Sequence, residues 1–168
     1  MTANEQKQIL VRPATLEDKE VFLSLLGEFA EYEKLTPPDE AAQRRLIEDG
    51  FGPRRRFEVL LAEFAGQVAG YAIVYDIYSS FLARPKLYLE DLFVKPDFRG
   101  CGVGKALFEA CVRETESRGF DRLQWYVEDW NEQAVRFYEQ MGARRLNWQT
   151  WQLDCQPPNE PDPGTDSR

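Results

Sequence analysis

The segment Arg99-Gly100-Cys101-Gly102-Val103-Gly104-Lys105 separates an apolar run at 87–94, which has the length of a strand, from a run ending at Gly119 that has the apolar spacing of a helix. The alternate glycines allow the backbone to turn so that successive N–H groups point into one concavity, and the helix N-terminus adds its positive end. Arg99 and Lys105 add charge on either side. The segment therefore predicts a strand, a phosphate-binding loop and a helix, in that order.

The spacing of the glycines narrows the choice of ligand. Three residues separate Gly100 from Gly104 and Ala106 follows Lys105, whereas a Walker loop has four residues between its glycines and Ser or Thr after the lysine. A dinucleotide fingerprint would need glycine at position 105. Both common phosphate loops are therefore excluded, and a purely structural glycine-rich turn stays open as the alternative.

The rest of the chain alternates between strand and helix signals, which indicates a mixed α/β fold. Strands are predicted at 9–12, 57–64, 68–78, 87–94, 122–127 and 143–153, and helices are predicted after the caps Thr15, Asp39 and Asn131. Gly66 marks a hairpin turn and Gly142 ends the last helix. We expect a flexible leader at 1–8, one domain at 9–154 and a disordered tail at 155–168, which has no apolar pattern.

The composition excludes several classes of function. The 29 acidic residues outnumber the 21 basic ones, so the net charge of −8 repels phosphate backbones and attracts cations, and we expect no nucleic-acid partner. The absence of histidine and the scatter of three cysteines exclude histidine catalysis, a disulfide framework and a zinc site, so we expect no metal. Because no signal peptide or 18-residue apolar run is present, we expect no membrane association and a cytoplasmic location.

At residues 99–104 the sequence matches the arginine-glycine-x-glycine-x-glycine signature of the GNAT acetyltransferases. Other segments resemble the diamine (spermidine/spermine) and thialysine branch of that superfamily: Glu48-Asp49-Gly50-Phe51-Gly52, Tyr88-Leu89-Glu90-Asp91-Leu92-Phe93-Val94, Asp129-Trp130-Asn131, and Phe137-Tyr138 with Gly142-Ala143. The resemblance covers 9–153. It implies a GNAT-type fold, with a mixed, mostly antiparallel sheet flanked by helices on both faces, and acetyl transfer from acetyl-CoA to a primary amine of a polyamine, thialysine or a lysine-like molecule.

The resemblance also implies roles for individual residues. Leu92, Phe93 and Val94 would offer backbone groups to the pantetheine arm of acetyl-CoA. Its pyrophosphate would lie on Arg99, Gly100, Cys101, Gly102, Val103, Gly104 and Lys105, with Asn131 and Tyr138 at the other half of the cofactor. Tyr32 and Glu33 match a pair that contacts the amine, although a surface position for Glu33 stays open. Members of this branch pair through their C-terminal halves, so we expect a homodimer with Trp148 and Trp151 in its interface.

The acceptor amine must lose a proton before it can attack a thioester. A lysine-like amine has a pKa near ~10.4, so about one molecule in ~10³ is neutral at pH 7, a barrier of roughly 4 kcal/mol. Glu90 is the candidate that holds the amine or a relay water, as the resemblance implies, unless it points to solvent from the sheet edge. Alternation along a strand sends Glu90 and Asp91 to opposite faces, so at most one should line the groove. Asp91 is expected to contact a polyamine or to support the fold.

Tyr138 is the candidate general acid, because a phenol near the sulfur can protonate the leaving CoA thiolate. The alternative is a core aromatic beside Phe137. Cys101 occupies a variable position of the loop and is interpreted as an inert backbone donor.

The sequence departs from the polyamine enzymes at Ser80 and Leu82, where those enzymes carry aspartate and tryptophan, and this favours a lysine analogue over spermidine.

Two other hypotheses are a non-catalytic acetyl-CoA-binding regulatory domain and a nucleotide-binding switch, of which the second is disfavoured by the glycine spacing.

Overall fold

The computed structural model describes residues 8–153 and 155. Residues 1–7 of the predicted leader and residues 156–168 of the predicted tail lie outside the described residues. The elements are β1 Ile9–Pro13, α1 Lys19–Glu33, α2 Glu40–Phe51, β2 Glu58–Phe64, β3 Gln67–Ser79, β4 Arg84–Val94, α3 Val103–Ser117, β5 Leu123–Gln124 and α4 Glu132–Gln140. The chain divides into two compact units between Asn131 and Glu132. The first holds everything up to β5, the second holds α4, and the single domain expected at 9–154 stays a prediction.

The five strands form one sheet in the order β1-β2-β3-β4-β5. All pairs are antiparallel except β4 with β5, which is parallel. The mixed, mostly antiparallel sheet that the resemblance implied is therefore confirmed. The predicted hairpin is also confirmed, since β2 and β3 meet at a turn in which Ala65 and Gly66 have φ values of 50° and 78°.

The sheet is buried on both faces. Alternate residues of β2, β3 and β4 pack against α1 and α2 in one aromatic core, which contains Val59, Leu61, Tyr71, Ile73 and Phe93 with Phe22, Leu25 and Phe51. We call this side of the sheet the α1 face. The opposite face of the sheet is buried as well, through Leu60, Ala62, Ala72, Val74, Leu87 and Leu89, and α3 lies against the same strands with its buried residues Val103, Leu107, Phe108 and Cys111. Each of the large side chains contributes about 1.5–3 kcal/mol by burial.

Each residue predicted as a helix cap lies directly before a helical segment: Thr15 before a 3₁₀ turn that leads into α1, Asp39 before α2 and Asn131 before α4. Asp18 accepts hydrogen bonds from the backbone and side chain of Thr15, and the side chain of Asp39 accepts from the Ala42 N–H at the start of α2. Helix α4 begins directly after Asn131, and Gly142 beyond its end has a φ of 83°.

Two predicted strands differ from the structure. Only Leu123–Gln124 of the run at 122–127 forms a strand, and 143–153 contains no strand although it was predicted as one. An alternating pattern shows that a segment has one apolar face, but a strand also needs a neighbour for its backbone hydrogen bonds. Trp148, Trp151 and Leu153 are more than three-quarters exposed, so the described residues leave most of their apolar surface uncovered.

Candidate active site

The predicted phosphate loop lies between β4 and α3, as expected. A single 3₁₀ turn at Pro96–Phe98 follows β4, and α3 begins at Val103, whose side chain is fully buried. Gly100 and Gly102 have φ values of 75° and 91°, a region that other residues enter only at a cost of roughly 1–2 kcal/mol. The first N–H groups of a helix have no acceptor within it, so the start of α3 presents donors beside the loop. The geometry suits an anionic phosphate group.

The charged residues of the loop also have contacts inside the protein. The Nε of Arg99 donates to the Val94 carbonyl at 3.0 Å, and its guanidinium lies 4.5 Å from the ring centroid of Tyr32, a cation–π contact. Arg99 thus ties the loop to β4 and α1, and a phosphate contact by its remaining N–H groups stays a prediction. Lys105 is exposed, and its Nζ lies 3.8 Å from Oε1 of Glu109. The Cys101 N–H donates weakly to the Phe98 carbonyl at 3.4 Å, and its thiol is exposed.

A bulge in β4 decides how its two adjacent acidic residues are arranged. Ile73 pairs with Asp91 and Val74 pairs with Leu89, so Glu90 is an extra residue with no partner on β3. The hydroxyl of Tyr75 is 2.8 Å from Glu90 Oε2, and that of Tyr71 is 3.2 Å from Asp91 Oδ2. Both tyrosines lie on the same face of β3, since their positions are four apart, an even number. The expectation that alternation sends Glu90 and Asp91 to opposite faces is therefore wrong, because the bulge interrupts the alternation.

The two carboxylates have different surroundings. Glu90 is exposed, whereas Asp91 lies close to the buried ring of Tyr71, and burial raises the pKa of Asp91 to about 6. The hydrogen bond from Tyr71 opposes that increase, and the neighbouring carboxylates of Glu90 and Glu33 add to it. Glu33 is half-buried, and its own pKa is raised by burial and by the nearby carboxylate of Glu128. Four carboxylates thus form one negative region, which suits a cationic ligand.

The C-terminal end of α1 adds an aromatic wall. Helix α1 ends where Lys34 adopts a left-handed φ of 59°. The ring of Tyr32 lies 6.5 Å from that of Phe93 and 6.4 Å from that of Trp130, and it also carries the cation–π contact with Arg99. The pair Tyr32 and Glu33 therefore lies beside β4.

The structure brings together many of the residues singled out from the sequence. Tyr32, Glu33, Glu90, Asp91 and Arg99 lie in the first unit and are linked by the contacts above. Leu92, Phe93 and Val94 end β4, where the strand is open on one side, because β5 pairs only with Leu87 and Tyr88 among the described residues. Asn131 is the last residue of the first unit, and Tyr138 lies half-buried on α4 of the second, its ring 5.1 Å from that of Phe137.

Three residues at this site were missed from the sequence: Tyr71, Tyr75 and Glu128. The two tyrosines share a strand face, but nothing in the sequence shows that a bulge brings both carboxylates to them. Glu128 directly precedes the quoted Asp129-Trp130-Asn131, so its position was the available signal.

Two further properties, metal coordination and membrane insertion, depend on side-chain clusters and helix length in the part of the chain that the structure describes. No group of three or more acidic, cysteine or histidine side chains there has the arrangement of a metal site. No helix in that part is long and apolar enough to cross a membrane.

Comparison with known proteins agrees with the site. Residues 20–143 match the acetyltransferase (GNAT) family. The chain is 35% identical over 146 residues to a thialysine N-epsilon-acetyltransferase of Sus scrofa, covering 82% of this chain and 85% of that protein. It is 43% identical over 77 residues to an L-ornithine N5-acetyltransferase of Arabidopsis thaliana, and this match covers 46% of this chain and 34% of that protein.

Solved structures share the fold. A possible acetyltransferase from Clostridium difficile 630 superposes with a TM-score of 0.78 at 15% identity, covering 89% of this chain and 99% of the other. The chain therefore belongs to the GNAT family and is an N-acetyltransferase, which moves the acetyl group of acetyl-CoA to the amine of a small molecule.

Proposed function

We propose that the acceptor is the side-chain amine of a small amino acid of the thialysine, lysine or ornithine type, with polyamines as poorer acceptors. The observation that carries this proposal is the negative region formed by Glu33, Glu90, Asp91 and Glu128, which suits an ammonium group. The relatives named for thialysine and ornithine acetylation support it. The residues between β3 and β4 support it as well, because Ser80 and Leu82 stand there in place of the aspartate and tryptophan of polyamine enzymes.

The residues around the loop fit acetyl-CoA. Gly100 and Gly102 leave the backbone open, since no other atom lies within 4 Å of a side chain added at Gly100 and only Ile9 Cδ1 lies within 4 Å at Gly102. We assign the pyrophosphate to the N–H groups from Gly100 to Lys105 and the pantetheine arm to the open edge of β4 at Leu92–Val94, with Asn131 and Tyr138 at the far half. Acetyl-CoA supplies the acetyl group as a reactive thioester.

Glu90 is assigned to the amine. Its carboxylate lies on the α1 face, beside Asp91 and open to solvent, so it can accept a hydrogen bond from the incoming ammonium or from a water molecule that carries the proton away. The neutral amine then attacks the acetyl carbon directly, with both substrates bound together. Asp91 and Glu33 are assigned to holding the positive charge of the acceptor.

Tyr138 is assigned as the general acid that returns a proton to the leaving sulfur. Its place on α4 agrees with the predicted helix after Asn131. We further propose that the enzyme is a cytoplasmic homodimer.

An acetyl-transfer screen with free thiol as the readout tests the acceptor class. The panel contains thialysine, lysine, ornithine, their decarboxylated diamines, spermidine, an aminoglycoside and a peptide N-terminus, so each amino acid is matched by a diamine that lacks only the carboxylate. We expect kcat/KM for the best amino acid to exceed that for spermidine by about tenfold or more, a difference of ~1.4 kcal/mol. A preference for spermidine would overturn the acceptor assignment. Tight acetyl-CoA binding without transfer to any amine would instead favour the non-catalytic regulatory domain.

A further inference from the structure

We propose that Tyr75 is a positioning residue for the acetyl-transfer reaction: its hydroxyl fixes the carboxylate of Glu90 toward the incoming amine. This inference rests on the proposed role of Glu90. Tyr75 lies outside the motifs quoted for the diamine and thialysine branch, and it contacts Glu90 from the neighbouring strand.

The bulge makes such a support necessary. Glu90 is the residue of β4 that has no partner on β3, so the regular ladder does not fix its backbone direction as it does for Leu89 and Asp91. Its side chain is exposed, and an exposed glutamate samples several rotamers. Without a further contact the carboxylate would be poorly located, and misplacement by about 1 Å can cost on the order of 10²-fold in rate.

Tyr75 provides that contact from a fixed position. Its hydroxyl donates to Glu90 Oε2 at 2.8 Å, a hydrogen bond to a charged acceptor. Its cross-strand partner is Tyr88, and the two rings lie 5.2 Å apart. Tyr88 in turn packs edge to face on Tyr126 at 5.6 Å, so the ring of Tyr75 is held in a row of three aromatic rings.

The hydrogen bond has a defined direction. Burial, followed by the hydrogen bond to Glu90 and the nearby charges, raises the pKa of the Tyr75 hydroxyl above its usual range. The hydroxyl therefore keeps its proton throughout the pH range of the reaction and acts as donor. A carboxylate has two oxygens and about four acceptor positions, so engaging Oε2 leaves Oε1 for the amine or for a relay water.

Tyr75→Phe removes the hydroxyl and keeps the ring against Tyr88. We expect kcat/KM for the preferred amine to fall about tenfold, the size of a hydrogen bond to a charged group, while KM for acetyl-CoA stays within about twofold. The matched control is Tyr78→Phe, which removes an exposed hydroxyl three residues further along β3 and should keep both constants within about twofold of wild type. Far-UV circular dichroism checks that each variant is folded.

The double variant separates positioning from a merely structural role. If Tyr75 acts through Glu90, then Tyr75→Phe should have little further effect in a Glu90→Gln background, because the carboxylate that it orients is gone. Glu90→Asp, which keeps the charge but withdraws it from Tyr75, should lose about as much activity as Tyr75→Phe. This second variant also tests the inference should Tyr75→Phe fold poorly.

The outcomes distinguish the inference from the proposed function. If Glu90→Gln is impaired while Tyr75→Phe and Glu90→Asp match wild type, the positioning role is wrong and the role of Glu90 stands. Equal losses from Tyr75→Phe in both backgrounds would also overturn it. If Glu90→Gln itself matches wild type, the role of Glu90 fails and the positioning role fails with it.

Discussion

At the scale of single residues, the adjacent carboxylates Glu90 and Asp91 show how surroundings divide two similar groups. Glu90 is exposed and held by Tyr75, whereas Asp91 is held by the buried Tyr71 and has its pKa raised to about 6 by burial. The same acid in an unfolded chain has a pKa near ~3.9. The folded protein therefore binds this proton more tightly than the unfolded chain does, and the stability contribution is complete below about pH 4 and lost as the pH rises through about 6.

This difference predicts the behaviour of Asp91→Asn, which removes the charge and keeps an oxygen that can accept from Tyr71. The free energy of unfolding of the variant, measured relative to that of wild type, should increase between about pH 4 and 7 and be higher at pH 8 than at pH 4 by roughly 3 kcal/mol. Urea denaturation at pH 4, 6 and 8 measures it. A difference that does not change with pH would show that Asp91 is not the titrating group. Activity should fall in the same variant, because Asp91 is assigned to the acceptor.

Tyr138 allows a second test at this scale. Tyr138→Phe removes only the hydroxyl, so folding and acetyl-CoA affinity should stay close to wild type while the rate of the chemical step falls by on the order of 10² to 10⁴. Single-turnover transfer is the measurement, since slow product release can hide the chemical step in steady state. A single-turnover rate within about threefold of wild type would assign the ring to packing and leave water as the proton donor.

At the scale of elements, the phosphate loop and α3 were predictable because their signals are local. All of these signals fall within the 21 residues from Arg99 to Gly119: the alternate glycines, the apolar spacing of α3 and the glycine that ends it. The bulge at Glu90 was not predictable, because it depends on how β3 and β4 pair, and pairing is a property of two segments. The strand predicted at 143–153 was wrong for the same reason, since an apolar face does not supply a neighbour.

The loop yields a prediction about its glycines. Gly102 has a φ of 91°, so Gly102→Val strains the backbone and displaces the N–H groups assigned to the pyrophosphate. We expect acetyl-CoA affinity, measured by calorimetry, to weaken at least about tenfold, as expected when several charge-assisted hydrogen bonds are misaligned.

The matched control for this loop is Gly119→Val. Gly119 follows the other end of α3, has a φ of 71° and would meet no other atom within 4 Å. Both substitutions place valine at a positive φ, so we expect them to lower the free energy of unfolding by a similar amount. Only Gly102→Val should also weaken acetyl-CoA binding. Unchanged affinity in a folded Gly102→Val protein would mean that the loop does not hold the cofactor.

At the scale of the whole molecule, charge and exposed apolar surface point to different partners. The net charge of −8 favours a cationic small molecule, in agreement with the acidic region around Asp91. Among the described residues of the second unit, the most exposed large apolar side chains are Trp148, Trp151 and Leu153, which are 80%, 87% and 86% exposed. Aromatic surface of this kind commonly lies in a protein interface. This part of the molecule could not be predicted from the sequence as core or interface, because an isolated apolar pattern is the same in both cases.

We therefore expect a homodimer whose interface includes Trp148 and Trp151. Light scattering at micromolar concentration should give a mass of twice the 19.5 kDa of one chain. Trp148→Ser combined with Trp151→Ser should shift that mass toward one chain, because two buried aromatic anchors are each worth about 2 kcal/mol or more in an interface. Leu16→Ser is the control, since Leu16 is 56% exposed and lies in the first unit. A single-chain mass for the wild-type protein would rule the dimer out, and a dimer that survives the double substitution would place its interface on another surface.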